Sequence, residues 1–140
     1  MFNLYGNERL TEWKNIRDNI EIDSQPLEIV ADLWARAPFV NPYLNPKDSS
    51  TWPDPWHLVL GDRLDDLAIT LGMLYTVKLT QRFMATPCEI HMSIPFKKQE
   101  PRFHLLIDNK FILNFEPRKV VGVDAVNIET EIIWQGNSLK

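Results

Sequence analysis

One thiol, one imidazole and one amide are the residues of this chain whose types and order match a nucleophilic centre. The segment RFHLLIDNKFILNFEPRK, Arg102 to Lys119, reads as two strands joined by a tight turn, with His104 in the first and Asn114 in the second. A histidine beside an orienting polar residue on neighbouring strands supplies a base and its positioning group. The third member would be a cysteine opening a core helix, where the helix end lowers the thiol pKa and the histidine takes its proton. The single cysteine, Cys88, follows Pro87 in a predicted strand. No helix dipole activates a thiol there, and a small buried apolar residue is the expectation.

Other chemistries find less. The three histidines are His57, His91 and His104, with no pair at i,i+4 and no HExxH pattern, so no metal site is expected. Asp62, Asp65 and Asp66 cluster at a helix start, where capping and the helix dipole explain them. The five glycines are scattered and form neither a phosphate loop nor GxGxxG nor GxSxG, so no cofactor is expected. A formal net charge of -4 argues against a broad nucleic-acid-binding face, and the short basic run Lys97–Lys98–Arg102 is broken by Glu100. One cysteine excludes an intramolecular disulfide, the start MFNLYGNERLTEWKNIRD lacks a signal-length apolar core, and no run approaches a membrane span. The expectation is a chain made in a cytoplasm that stays soluble or joins a larger assembly there.

The elements that position these residues follow from periodicity. At 140 residues, with 44% hydrophobic and 24% charged, the chain is long enough and ordinary enough in composition for one domain with its own core. Residues 1–23 read as a peripheral arm with a short helix, Leu10, Trp13, Ile16 and Ile20 falling at helical spacing. A second helix follows, with Ser24 as cap, Pro26 in its first turn and Leu27, Val30, Ala31 and Trp34 as its stripe; Pro38 ends it. Residues 37–57, which open with APFVNPYLNPKDSSTWPDPW, hold five prolines and four aromatics and read as an ordered loop without regular structure. The strongest helix spans 62–80, capped by Asp62, with one broad buried face from Leu64 to Leu79. Gly72 in its middle weakens it, and close approach of a neighbouring element would explain the glycine. After Pro87 come five strands over 87–134: Cys88–Ile94, Arg102–Ile107, Lys110–Phe115, Val120–Val126 and Ile128–Ile133. Asp108–Asn109 forms a two-residue turn. The fold class is α+β, N-terminal helices packed on a C-terminal antiparallel sheet.

Two resemblances attach to these segments. GDRLDDLA, Gly61 to Ala68, followed by FHLLIDNKFILNFEP resembles the transglutaminase-like branch of the papain-type superfamily, whose helix opens G-x-C-x-D-F-A and whose later hairpin carries a histidine and a carboxylate. It covers Gly61 to Pro117. The resemblance implies that the catalytic cysteine falls on Leu64, or on Asp65 with a one-residue slip, and that Asn114 stands near the place of the orienting aspartate. Two readings of His104 and Asn114 therefore stand together: a vestigial pair whose nucleophile is absent, or a hydrogen-bonded strand histidine without that ancestry. Both predict no thiol catalysis.

The second resemblance is carried by LWARAPFVNPYLNP, WPDPWHLVLGD and LGMLYTVKLT, between Leu33 and Thr80, which are similar to small proteins of tailed bacteriophages. It implies a virion component, tail or baseplate rather than head, that binds other virion subunits in multiple copies within a symmetric assembly. Phe39, Tyr43, Trp52 and Trp56 would be the docking anchors, because aromatics dominate interface energetics. Packing onto the chain's own core is the alternative for these side chains. The alternative functions are a cysteine-dependent hydrolase or acyl-transferase in which Cys88 meets His104, and a regulatory domain holding a small ligand near His104.

Overall fold

The computed structural model describes residues 1–40, 42–61, 64–93, 100–127 and 129–136. Four helices lie in the N-terminal half, α1 Gly6–Ile22, α2 Pro26–Trp34, α3 Pro55–Leu60 and α4 Asp66–Lys78. Five strands follow, β1 Cys88–Ser93, β2 Phe103–Ile107, β3 Phe111–Leu113, β4 Val121–Gly122 and β5 Thr130–Gly136, in the spatial order β4-β3-β2-β1-β5 with every pairing antiparallel. The expected α+β class is the observed one. Among the described residues, no helix is long and apolar enough to cross a membrane.

The centre of the fold is α4, and it differs from the sequence expectation in two ways. Every residue from Leu67 to Lys78 is buried, so the helix has no solvent face. The reason is its position between α1, α2 and α3 on one side and β2 on the other. Its one terminal cation, Lys78, is accommodated by donating to the carbonyls of Phe83, Met84 and Thr86 in the following turn. The helix also starts later than expected. Asp65 is the cap, its Oδ1 accepting from the Ala68 amide at 2.8 Å, while Asp62 lies outside the described residues. The second oxygen of Asp65 accepts from the amides of Tyr43 and Leu44 at 2.8 and 3.0 Å, so one carboxylate caps the helix and anchors the proline-rich segment.

Residues 1–23 are not a peripheral arm. Trp13 and Ile20 of α1 are fully buried, and the Arg9 guanidinium donates to the carbonyls of Phe2, Leu4, Val59 and Gly61, tying α1 to the end of α3. Gln25 rather than Ser24 precedes α2, and no side chain caps it. The 37–57 segment is less irregular than expected. It contains a 3-10 turn at Ser49–Thr51 and the start of α3, where Asp54 caps through the His57 amide and Pro55 takes the first helical position, whose absent N–H costs nothing.

In the sheet, Asp108 and Asn109 form the expected turn with φ of 55° and 54°, the left-handed pair that matches strand twist. Three strand expectations shift, the first being Lys110–Phe115, which is a strand only over Phe111–Leu113 and leaves Asn114 beyond its end. Val120–Val126 pairs only at Val121–Gly122 before turning into a 3-10 segment, Val123–Ala125, and the last strand begins at Thr130. Ile94, the expected end of β1, and Ile128 lie outside the described residues.

Candidate functional site around His104

Strand alternation decides which polar groups share a face. Successive side chains of a strand point to opposite faces of the sheet. In β2, Phe103, Leu105 and Ile107 face the helices and are buried in the core, so His104 and Leu106 occupy the other face. Cys88 is opposite Ile107 and belongs to the core face, whereas His91 is opposite His104 and belongs to the outer one. The thiol and the imidazole are therefore separated by the sheet itself. The helix start at Leu64 and Asp65 belongs to the core side too, so even a cysteine at either position would not meet His104.

Cys88 is 1% exposed, and its Sγ lies 3.6 Å from the Thr86 carbonyl. Burial pushes the thiol up to about 11, against a smaller opposing pull from the buried Lys78 ammonium. Native protein treated with iodoacetamide at pH 7.5 is expected to leave Cys88 unmodified while the urea-unfolded chain alkylates fully, as intact-mass spectrometry would read out. Rapid native modification would mean a thiolate in solvent contact, contrary to this arrangement.

Asn114 is held away from the imidazole. It sits at φ 64°, a conformation asparagine tolerates better than most residues. Its Nδ2 lies 2.8 Å from the Phe103 carbonyl, 3.1 Å from the Asp66 Oδ1 and 3.1 Å from the Thr70 hydroxyl. The Asp66 Oδ2 in turn accepts from the Phe103 amide at 2.8 Å and pairs with Arg102. The Asn114 side chain thus clamps the first turn of α4 to the β2–β3 hairpin. What His104 receives from Asn114 is only the backbone carbonyl, which accepts from Nδ1 at 3.1 Å. That bond places the proton of the neutral ring on Nδ1. The vestigial-pair arrangement is not what joins these two residues.

On the outer face, His104 and His91 border a cavity of about 120 Å³ closed by Leu106, Ile112, Val123 and Val126. His91 is engaged on both nitrogens, by Thr130 at 2.8 Å and Glu89 at 2.9 Å. Burial lowers the His104 pKa from the ordinary 6.5; the Asn114 carbonyl and Asp66 oppose that shift, while Arg102 and His91 add to it. The unfolded chain then binds this proton more readily than the folded one, so the His104 contribution is intact above pH 6.5 and lost as pH falls through the lowered folded value. Urea unfolding from pH 7 to 5 is expected to show falling stability, with a slope of at most about 1.4 kcal/mol per pH unit for this one proton. His104→Leu should flatten that part of the profile, and an unchanged profile would assign the dependence to other groups.

The four expected aromatic anchors separate. Trp52 is half-buried against the core, its indole N–H donating to the Asn45 carbonyl at 2.8 Å. Trp56 stands edge-on to Trp13 at 5.6 Å, with the Arg17 guanidinium over both rings, though 46% of its surface remains exposed. Phe39 and Tyr43 are 62% and 45% exposed. Phe39 borders a groove of about 510 Å³ walled by Pro42, Leu44 and Pro46 on one side and Pro101, Phe103 and Pro117 on the other. The signal for this division lay in the spacing of Trp13 and Arg17, one helical turn apart, which makes a shelf that an aromatic can cover. Set beside known proteins, the chain matches no family model, no curated protein and no solved structure.

Proposed function

We propose that this chain is a non-enzymatic docking protein, a structural or adaptor component of a tailed-phage virion, at tail or baseplate, that binds other virion subunits. The observation that carries the non-catalytic part is the placement of Cys88 and His104 on opposite faces of one sheet. An acyl-transfer centre needs its nucleophile and base within hydrogen-bond reach. The docking part is supported by the groove beside Phe39. Its rim is held rigidly, by Asp65 through the Tyr43 and Leu44 amides and by the Val40 amide donating to the Leu64 carbonyl at 3.3 Å, so little ordering is left for binding. Its lining joins prolines and phenylalanines, which suit a binding-patch centre, to the charged Asp65, Asp66, Glu100 and Arg102. The phage assignment rests on the resemblance of the Leu33–Thr80 segments.

The test is co-sedimentation of the purified chain with particles from the source lysate. Phe39→Ala and Tyr43→Ala are expected to lose association while remaining folded. Trp52→Ala, which sits against the core, should lower stability instead. Unchanged association of folded Phe39→Ala and Tyr43→Ala would remove the groove from the interface, and a wild type that never leaves the supernatant would remove the docking reading.

A further inference from the structure

The two edges of the sheet are unequal. β4 is two residues long, whereas β5 runs seven, Thr130–Gly136, and among the described residues pairs with β1 alone. An edge strand presents a row of unpaired N–H and C=O groups, which natural proteins blunt with proline, lysine or short length. The β5 sequence TEIIWQG has neither proline nor lysine, and its one charge, Glu131, is already paired with the chain's own Lys47 at 2.9 Å. Ile132 is 47% exposed there.

The ladder fixes which backbone groups of β5 face outward. At the two ends of the β1–β2 pairing, the Ser93 amide donates to Arg102 and the Asp108 amide to Pro87, both at 2.8 Å. Residues 87, 89, 91 and 93 therefore turn their backbone groups to β2, and 88, 90 and 92 turn theirs to β5. Their partners on β5 are Gly136, Trp134 and Glu131, and these point inward. Thr130, Ile132 and Gln135, opposite Ser93, His91 and Glu89, point their amides and carbonyls away from the sheet. Among the described residues, no hydrogen bond reaches those outward groups.

The bulge at Ile133 gives the edge a self-complementary pattern. One extra residue between the Ile90–Trp134 and His91–Ile132 pairs brings Thr130 and Gln135, five positions apart, onto the same side of the strand. We propose that β5 pairs antiparallel with β5 of a second copy of this chain, about a two-fold axis between Ile132 and Ile133, so that the two sheets join edge to edge. In that register Thr130 meets the partner's Gln135 and the reciprocal pair repeats it, so both ends of the seam close with main-chain bonds. Ile132, on the outer face with His91, stands diagonally across the axis from the partner's Ile132, and each Glu131 lies across from Trp134 rather than from a second carboxylate, so no like charges meet. A dimer of this kind is isologous, as a two-fold requires. It names one partner within the docking reading above, yet it is a property of the purified chain alone.

Sedimentation equilibrium of the whole chain, up to the millimolar range, tests it against two variants. Gln135→Pro removes an N–H that serves no bond within the fold, which an edge strand tolerates. Ile132→Lys places a charge at the exposed centre of the seam. Wild type is expected to dimerise reversibly and Gln135→Pro to weaken the dimer by roughly 10–100-fold, since two main-chain bonds are lost across the two-fold. Ile132→Lys should be monomeric with an unchanged circular dichroism spectrum. A wild type that stays monomeric throughout, or a dimer that neither variant weakens, overturns the proposal. Either result leaves the co-sedimentation assay to judge docking separately.

Discussion

Thr76→Val is expected to lower the unfolding free energy by roughly 3–5 kcal/mol. The Thr76 hydroxyl sits fully buried in α4 and accepts from two indoles at once, Trp13 Nε1 at 3.0 Å and Trp34 Nε1 at 2.9 Å. Its own proton goes to the Gly72 carbonyl at 2.6 Å, one turn back. Both lone pairs and the one donor of the hydroxyl are thereby used. Valine has almost the same shape but no oxygen, so two indole N–H groups are left without an acceptor among fully buried neighbours, each at about 1–3 kcal/mol. Thr76→Ser keeps the oxygen and deletes a methyl, which should cost only about 1 kcal/mol. Urea titration distinguishes the two through a lower midpoint at unchanged slope. If valine costs no more than about 1 kcal/mol, the two indole bonds are not what holds the tryptophans together.

That one hydroxyl explains how three helices converge. Trp13 comes from α1, Trp34 from α2 and Thr76 from α4, so their relative positions are set by directed bonds as well as by apolar contact. The same economy recurs at the other end of α4, where Asp65 caps the helix and fixes the Tyr43–Leu44 backbone, and Asp66 with Asn114 fixes the hairpin. The polar residues that looked like chemistry in the sequence are used as joints between elements. This is also why the groove beside Phe39 is pre-formed: both of its walls hang from the first turn of α4.

How much of this the sequence disclosed varies with the kind of interaction. Local signals were readable. The 3.6 period of α2 and the Asp108–Asn109 turn depend on neighbouring residues and are found as expected. The all-round burial of α4 was also available in principle, since no charge falls between Asp66 and Lys78, although its apolar spacing read as one broad stripe. Choices among equivalent residues were not readable. Asp62, Asp65 and Asp66 are equally good caps locally, and Asp65 is selected by its second task of binding the Tyr43 and Leu44 amides, a contact across some twenty residues. For His104 and Asn114 the missing quantity was direction. The sequence places both on adjacent strands, but the pleat sends His104 outward, and the left-handed backbone at Asn114 turns its amide toward α4.

Gly72→Ala is expected to destabilise the protein by roughly 2–4 kcal/mol, opposite in sign to what an exposed helix would show. Alanine in place of a mid-helix glycine ordinarily gains about 1 kcal/mol. Here an added Cβ would fall 2.3 to 2.5 Å from three atoms of the Trp34 six-membered ring, far inside contact distance. The ring has little room to retreat, because its N–H is held by Thr76 and Phe2 stands edge-on to it at 5.2 Å. The close approach anticipated from a glycine in a strong helical pattern is therefore that of α2, made through a single indole. The cause is tested by a double-mutant cycle with Trp34→Phe. Phenylalanine lacks the outer ring that meets the Cβ, so in the Gly72→Ala background it should cost less than it does in wild type, with a favourable coupling of about 1–3 kcal/mol. Strict additivity would mean that the helices separate to admit the methyl group, and that the clash with Trp34 is not what the glycine avoids.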